Sequence, residues 1–358
     1  MKKIGILSFC ITDNHGTMLQ MYALKCMLEK LGDYEVEIIP HAIIEKIDNG
    51  FGGELLRQKN AQRLKAFDDF LVDKLGYKGP YISKLTSENA PKCDVYIVGS
   101  DTVWCLFQIH NDENFFLDFV EDNIVKIAYA PSLGTNNTSL FKKDIFEKYI
   151  DKFDYLSVRE KCNVEFIQQF TEKPVHCVLD PTLLLNCNDY ALIEEEISEE
   201  NYILLYLVYD DTENVSYIIQ MANRLSLKYN LKVVHFIYNL PPYIYEDRGV
   251  SFAFEKTEKF LSYVKNAKLV LTTSYHGLAF SIIYKKAFYY ITQQLGRASR
   301  PYDLLSKMGM MDRVLKPTLD LNDIDFDIDY LGVDEKLEKE RKYSIEYLRT
   351  ALEMKKDE

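Results

Sequence analysis

The sequence predicts an α/β fold made of two Rossmann-like halves. Short apolar runs alternate with longer stretches of helical spacing, which is how a chain builds a parallel sheet flanked by helices. The alternation breaks in a polar, acidic stretch at residues 186–201 and then restarts. At 358 residues the chain is also longer than a single core usually grows, so two domains are the natural division.

The elements follow in order. Residues 3–9 read as a buried strand. Residues 17–31 read as a helix with Leu19, Tyr22, Ala23, Cys26 and Leu31 at apolar positions, and 34–39 as the next strand, giving a β-α-β start. A turn at 49–53 leads to a charged helix at about 58–75 and a short buried strand at 95–98. Further strands are expected at 124–130, 155–158 and 175–179, with helices at 141–153 and 161–170 between them. Beyond the break come a strand at 202–209, a helix at 214–227 and a strand at 232–237. A helix at 257–264, a strand at 268–272, a helix from Gly277 and a strand at 288–291 complete the second half. The last segment, about 333–356, places Ile345, Leu348 and Leu352 on one stripe, the mark of an amphipathic helix. The expected domains are residues 1–188 and 200–330, with a C-terminal helix at 333–358 crossing back to the first domain.

Bulk properties narrow the function. A net charge of −12 argues against nucleic acid as a partner, because phosphate backbones require clustered lysine and arginine. An anionic ligand must then be held by local cations, which draws attention to arginines in loops. The 26 tyrosines suit packing, and equally a carbohydrate cleft, since they offer flat faces with hydroxyl tips. Seven cysteines without C-x-x-C spacing fit reduced thiols in a cytoplasm. Six scattered histidines give no ligand-spaced pair, so no metal is expected. Met1-Lys2-Lys3 runs directly into a strand, unlike a signal peptide, and no stretch is long enough to span a membrane.

The residues that could carry chemistry stand at predicted carboxyl ends of strands, where open α/β sheets bind ligands. Ser274-Tyr275-His276-Gly277 follows the apolar run 267–271. His276 is the first candidate catalytic residue, the other reading being a satisfied histidine at a helix cap. Ser274 and Gly277 flank it, and the glycine would let backbone approach a ligand. After the first strand, Asn14, Gly16 and Gln20 open a helix whose N–H groups could face an anion, or form an ordinary Asx turn and cap. Gly99-Ser100-Asp101-Thr102-Val103-Trp104 offers Ser100 and Asp101, which could orient a hydroxyl, act as base or cap the turn. Tyr129-Ala130-Pro131-Ser132-Leu133-Gly134 offers Ser132. Arg159 could clamp a carboxylate, or sit in an ion pair with Glu160 or Asp180.

Taken in order, Ile97 to Asp101 with Trp104, Tyr129-Ala130 with Ser132 and Gly134, Ser157 to Glu160, Leu179 to Thr182 and Thr273 to Gly277 resemble the polysaccharide pyruvyl transferase family. The resemblance covers about residues 1–315. It implies a GT-B-like arrangement of two Rossmann-like domains and transfer of a pyruvyl group from phosphoenolpyruvate to a glycan, with no cofactor. The chain departs from the pattern at His15, where tyrosine is common, at Thr102 for glutamine, at Cys105 for asparagine, and at Ser274, where some members carry arginine. Phosphate binding then falls to Arg297 and Arg300 in the loop 296–301.

On that resemblance His276 is the acid that protonates phosphoenolpyruvate at C3, Arg159 binds its carboxylate, Arg297 or Arg300 its phosphate, and Asp101 is the base for the acceptor hydroxyl. The donor is expected on the carboxyl-side domain and the acceptor on the amino-side domain. Acceptors would be lipid-linked repeat units or glycans of a capsule or cell wall, made at the cytoplasmic face of the membrane, with the protein soluble or peripheral there. Two other readings fit the same architecture: a GT-B glycosyltransferase using a nucleotide sugar, and a non-catalytic glycan-binding protein.

Overall fold

The computed structural model describes residues 1–10, 12, 14–42, 54–134, 142–208, 212–236, 251–253, 256–291, 299–315 and 324–354. The chain forms two compact units, one of residues 1–185 with 338–358 and the other of residues 186–337.

Unit 1 begins β1 (Lys2–Leu7), α1 (His15–Leu31), β2 (Tyr34–Ile38), α2 (Glu54–Asp73), β3 (Val95–Val98) and β4 (Val125–Ala128). It continues α3 (Lys143–Tyr149), β5 (Tyr155–Val158), α4 (Lys161–Ile167) and β6 (Val175–Cys177). The strands form one parallel sheet in the order β2-β1-β3-β4-β5-β6. β3 and β4 are buried along their whole length, as strands of a sheet covered on both faces should be; β3 is apolar throughout, while β4 carries the buried Lys126. Trp104 lies in this core, stacked on Phe116 with ring centroids 5.6 Å apart and fully removed from solvent.

Unit 2 runs α5 (Cys187–Tyr190), β7 (Tyr202–Tyr206), α6 (Thr212–Tyr229), β8 (Lys232–Phe236), β9 (Ser251–Ala253), α7 (Thr257–Asn266) and β10 (Leu269–Thr272). It goes on through α8 (Tyr275–Ile283), β11 (Phe288–Ile291), α9 (Ser299–Met308), β12 (Val314–Leu315) and the start of α10 (Leu331–Glu353). Its parallel sheet has the order β12-β11-β10-β7-β8-β9. Counted from its own first strand this is 3-2-1-4-5-6, the Rossmann order, and the order in which strands are added reverses between the neighbours β7 and β10.

Where the elements differ from the sequence reading, the causes are local. Ser274 is the N-cap of α8, its hydroxyl accepting from Gly277 N at 3.3 Å, so that helix starts at Tyr275 rather than at Gly277. The loop expected around Arg300 is the first turn of α9. β9 and β12 have three and two residues, too few for alternation to register. The stretch 186–201, expected as a linker, belongs to unit 2 and is fastened there. Tyr190 is buried against Phe280, Glu194 accepts from Tyr284 at 2.7 Å, and Glu195 pairs with Lys256 at 3.0 Å.

From Glu338 onward α10 belongs to unit 1. Tyr347 donates to the Ala128 carbonyl at 2.9 Å, Ser344 accepts from Leu179 N at 2.9 Å, and Leu348, Ala351 and Leu352 are buried. Ile345 sits half-buried at the flank of the stripe. The helix covers the edge strand β6, where His176 lies against Tyr343 and Tyr347.

Candidate functional site

In unit 1 the strand order reverses between β1 and β3, and the loops that follow β1, β3, β4, β5 and β6 meet in one hydrogen-bond network. Gln20 on α1 accepts from Ser100 N at 3.0 Å and donates to Ser8 Oγ at 2.9 Å. Ser100 Oγ lies 2.9 Å from the Ala130 carbonyl and 3.2 Å from Asp180 Oδ2. Asp180 also accepts from Arg159 Nη1 at 2.7 Å, from Thr182 N at 3.0 Å and from Thr182 Oγ1 at 2.7 Å. Both carboxylate oxygens of Asp180 are thereby engaged at zero exposure.

Asp101 follows Ser100 in the turn after β3. Its backbone is left-handed at φ 71, a conformation that aspartate tolerates better than most residues. Oδ2 accepts from the Thr17 hydroxyl at 2.6 Å and Oδ1 from Thr102 N at 2.8 Å. Gly99 before it has φ 116, and a Cβ there would collide with the Tyr129 carbonyl oxygen, so the turn admits only glycine.

In unit 2 the point where the strand order reverses, between β7 and β10, is closed by threonines. Thr273 Oγ1 accepts from Val208 N at 2.8 Å, and Thr272 Oγ1 donates to Tyr206 O at 2.7 Å while accepting from Ser274 N at 3.0 Å. His276 is the second residue of α8, 5% exposed, with its ring edge-on to Tyr275. Arg300 lies half-buried in the first turn of α9, the helix that follows β11.

The structure thus gathers Asn14, Gly16, Gln20, Ser100, Asp101, Ser132, Arg159 and Asp180 at the carboxyl edge of one sheet, and Ser274, His276, Gly277 and Arg300 in the other unit. Arg297 lies outside the described residues. Several of these residues are engaged by the protein itself. Asn14 Oδ1 accepts from Gly16 N at 2.9 Å and Thr17 N at 3.4 Å, so the first turn of α1 is an Asx cap. Ser132 Oγ accepts from Gly134 N at 3.1 Å. Arg159, 3% exposed, pairs with Glu160 at 3.2 Å and Asp180 at 2.7 Å, so both ion pairs open to it in the sequence are present at once. Gly277 has an internal reason to be glycine: a Cβ would overlap Thr272 Oγ1 and stand 2.8 Å from Tyr206 Cδ1, so α8 could not lie this close to β7 and β10. Thr17 and Thr272 are missed by the sequence reading, and Thr102 and Thr273 enter it only as positions of the family pattern, not as hydrogen-bonding residues. Only their positions just before or after a strand-end turn hinted at them. Among the described residues no group of three or more histidine, cysteine or acidic side chains could hold a metal ion.

The family model described as polysaccharide pyruvyl transferase matches residues 14–294. No curated protein matches the chain significantly. Among solved structures, the chain is similar to the UDP-GlcNAc 2-epimerase of Methanocaldococcus jannaschii in complex with UDP-GlcNAc and UDP. The TM-score is 0.54 at 14% identity, over 99% of this chain and 94% of that one. It is similar too to the UDP-GlcNAc 2-epimerase of Neisseria meningitidis bound to UDP-GlcNAc, with a TM-score of 0.51 at 12% identity, over 99% and 95%. At such identities the likeness shows the fold, a GT-B-like fold of two Rossmann-like units, and nothing of the chemistry.

Proposed function

Because the chain belongs to the polysaccharide pyruvyl transferase family, we propose that it moves a pyruvyl group from phosphoenolpyruvate to sugar hydroxyls of a polysaccharide or lipid-linked glycan precursor, closing a cyclic pyruvate ketal. The observation that carries the reading is His276 in the first turn of α8, beside the reversal of strand order in unit 2. Phosphoenolpyruvate becomes electrophilic at C2 only when its C3 methylene takes a proton, and an imidazole is suited to give one near neutral pH. His276 is assigned that proton. A sugar hydroxyl then adds to C2, phosphate leaves, and a neighbouring hydroxyl closes the ring. One of the two hydroxyl protons restores the imidazole and the other departs with phosphate, so the protons balance.

Asp101 is assigned as base for the acceptor hydroxyl, passing that proton on to the departing phosphate. Arg159 is assigned a positioning role, because its guanidinium is committed to Glu160 and Asp180 and through Asp180 it holds Ser100 next to Asp101. Binding of the donor's phosphate and carboxylate falls to Arg300, with Arg297 as the other cation the sequence offers. An acceptor for a capsule or cell wall would place the reaction in the cytoplasm or at the inner face of the membrane. Among the described residues no helix is long and apolar enough to cross one.

The second reading is a nucleotide-sugar enzyme, favoured by the Rossmann strand order of unit 2 and by the fold shared with proteins crystallised with UDP-GlcNAc. Calorimetric titration with phosphoenolpyruvate and with UDP-GlcNAc separates the two. Saturable binding of phosphoenolpyruvate, weakened by Arg300→Ala and followed by acceptor-dependent phosphate release, is expected. Binding of UDP-GlcNAc alone would overturn the proposal.

A further inference from the structure

We propose that Phe107 is the stacking platform of a sugar subsite beside Asp101, taking the apolar face of a neutral hexose ring of the acceptor; this rests on the acceptor being a glycan. Phe107 is 88% exposed and, where side chains are described, it is the one phenylalanine in full contact with water. Leaving such a ring in solvent forgoes the free energy of burying it. The loop is not loose enough to explain it. Leu106 and Ile109 on either side are buried at 4% and 0%. The backbone is pinned by Cys105 N to Thr102 O at 3.0 Å, Ile109 N to Cys105 O at 3.1 Å and Asn111 N to Leu106 O at 2.9 Å. The ring is therefore held out by a fixed turn.

That turn is joined to the candidate base. The Thr102 hydroxyl and the Gln108 amide oxygen are hydrogen-bonded, and Thr102 N donates to Asp101 Oδ1. With its oxygen taken by Thr102, the half-exposed Gln108 amide has N–H groups to offer. A flat apolar face next to amide donors and a carboxylate matches a pyranose, whose ring has an apolar face and a rim of hydroxyls.

The local charge tells against a lipid surface as occupant. Residues 93–125 contain no lysine or arginine and carry seven carboxylates, Asp94, Asp101, Asp112, Glu113, Asp118, Glu121 and Asp122. An anionic membrane would repel this stretch.

The test uses full-length protein with lactose, N-acetylglucosamine and methyl β-galactoside as probes, in saturation-transfer NMR and in fluorescence. Phe107→Ala should weaken binding about tenfold with an unchanged melting temperature. Phe107→Trp should keep the affinity, and its indole emission should shift on sugar addition, since Trp104 is wholly buried. Three results overturn the proposal: equal affinity in Phe107→Ala, no saturable binding of any probe by the wild type, or Phe107-dependent partition onto phosphatidylglycerol vesicles. None of these readouts requires phosphoenolpyruvate, so failure of the donor chemistry and failure of the subsite are separable.

Discussion

The Arg159 guanidinium donates to Asp180 at 2.7 Å with both side chains removed from water, 2% and 0% exposed. Removing one partner of such a pair leaves a buried charge uncompensated, which typically costs about 3–5 kcal/mol, whereas replacing both by apolar groups is often close to neutral. Asp180→Ala takes a buried acceptor from Arg159, Ser100 and Thr182 and should lower the stability of unit 1 by about 3–5 kcal/mol, and adding Arg159→Met should not restore it, because the buried Glu160 then loses its arginine. Urea unfolding of the two variants checks this; a wild-type midpoint in Asp180→Ala would show that the pair carries no such role.

Gly277→Ala should push α8 away from β10. The added methyl would overlap Thr272 Oγ1 and approach Tyr206 Cδ1 to 2.8 Å, and overpacking of this kind costs about 1–3 kcal/mol. Thr272→Ala in the same chain removes the contact with Oγ1 but also its hydrogen bonds to Tyr206 O and Ser274 N, so the double variant should be no more stable than Gly277→Ala. Thermal unfolding of the single and double variants measures it, and an unperturbed single variant would mean that the helix can shift freely.

A buried histidine, His235, and a half-buried one, His176, should set the acid limit of stability. Burial pushes His235 in β8 down from 6.5 to about 3, and burial lowers His176 under α10 as well. In both the fold favours the neutral ring, so the unfolded chain takes up the proton first. Their contribution is complete above about pH 6.5 and is lost as pH falls, for His235 over the span from 6.5 to about 3. His235→Leu and His176→Phe should flatten the fall in stability between about pH 6.5 and about pH 4, the first in unit 2 and the second in unit 1. Unfolding midpoints across that range, followed by hydrogen exchange in each unit, would expose an unchanged slope.

Much of this was legible in the chain, for reasons that differ by element. β3, β4 and β10 are continuous buried runs of four residues, and such runs bounded by turn residues read as parallel-sheet strands. The loops after them carried the site residues because open sheets present ligand groups at carboxyl ends. What periodicity could not convey was partnership over long separations. Arg159 and Asp180 lie 21 positions apart and Thr17 and Asp101 lie 84 apart, so nothing local distinguished a ligand clamp from an ion pair. The N-cap role of Ser274 was available, since serine ahead of an apolar helix is a start signal, and reading it would have put His276 inside the helix.

His276 and Asp101 should fail in different ways when altered. When water adds to C2 of phosphoenolpyruvate it can give its proton to solvent, so the protein need only supply the proton at C3, whereas a sugar hydroxyl held in a closed site needs a base of the protein to take its proton as well. His276→Gln should lower both phosphate release and transfer by about 10²–10⁴-fold. Asp101→Asn keeps an oxygen to accept from Thr102 N, so the turn should survive while transfer falls and phosphate release to water persists. Phosphate and ketal are measured in parallel on each variant, with melting temperatures as the control for folding. Wild-type phosphate release by His276→Gln would remove the histidine from the chemistry, and an equal loss of both products in Asp101→Asn would make the aspartate part of donor activation instead.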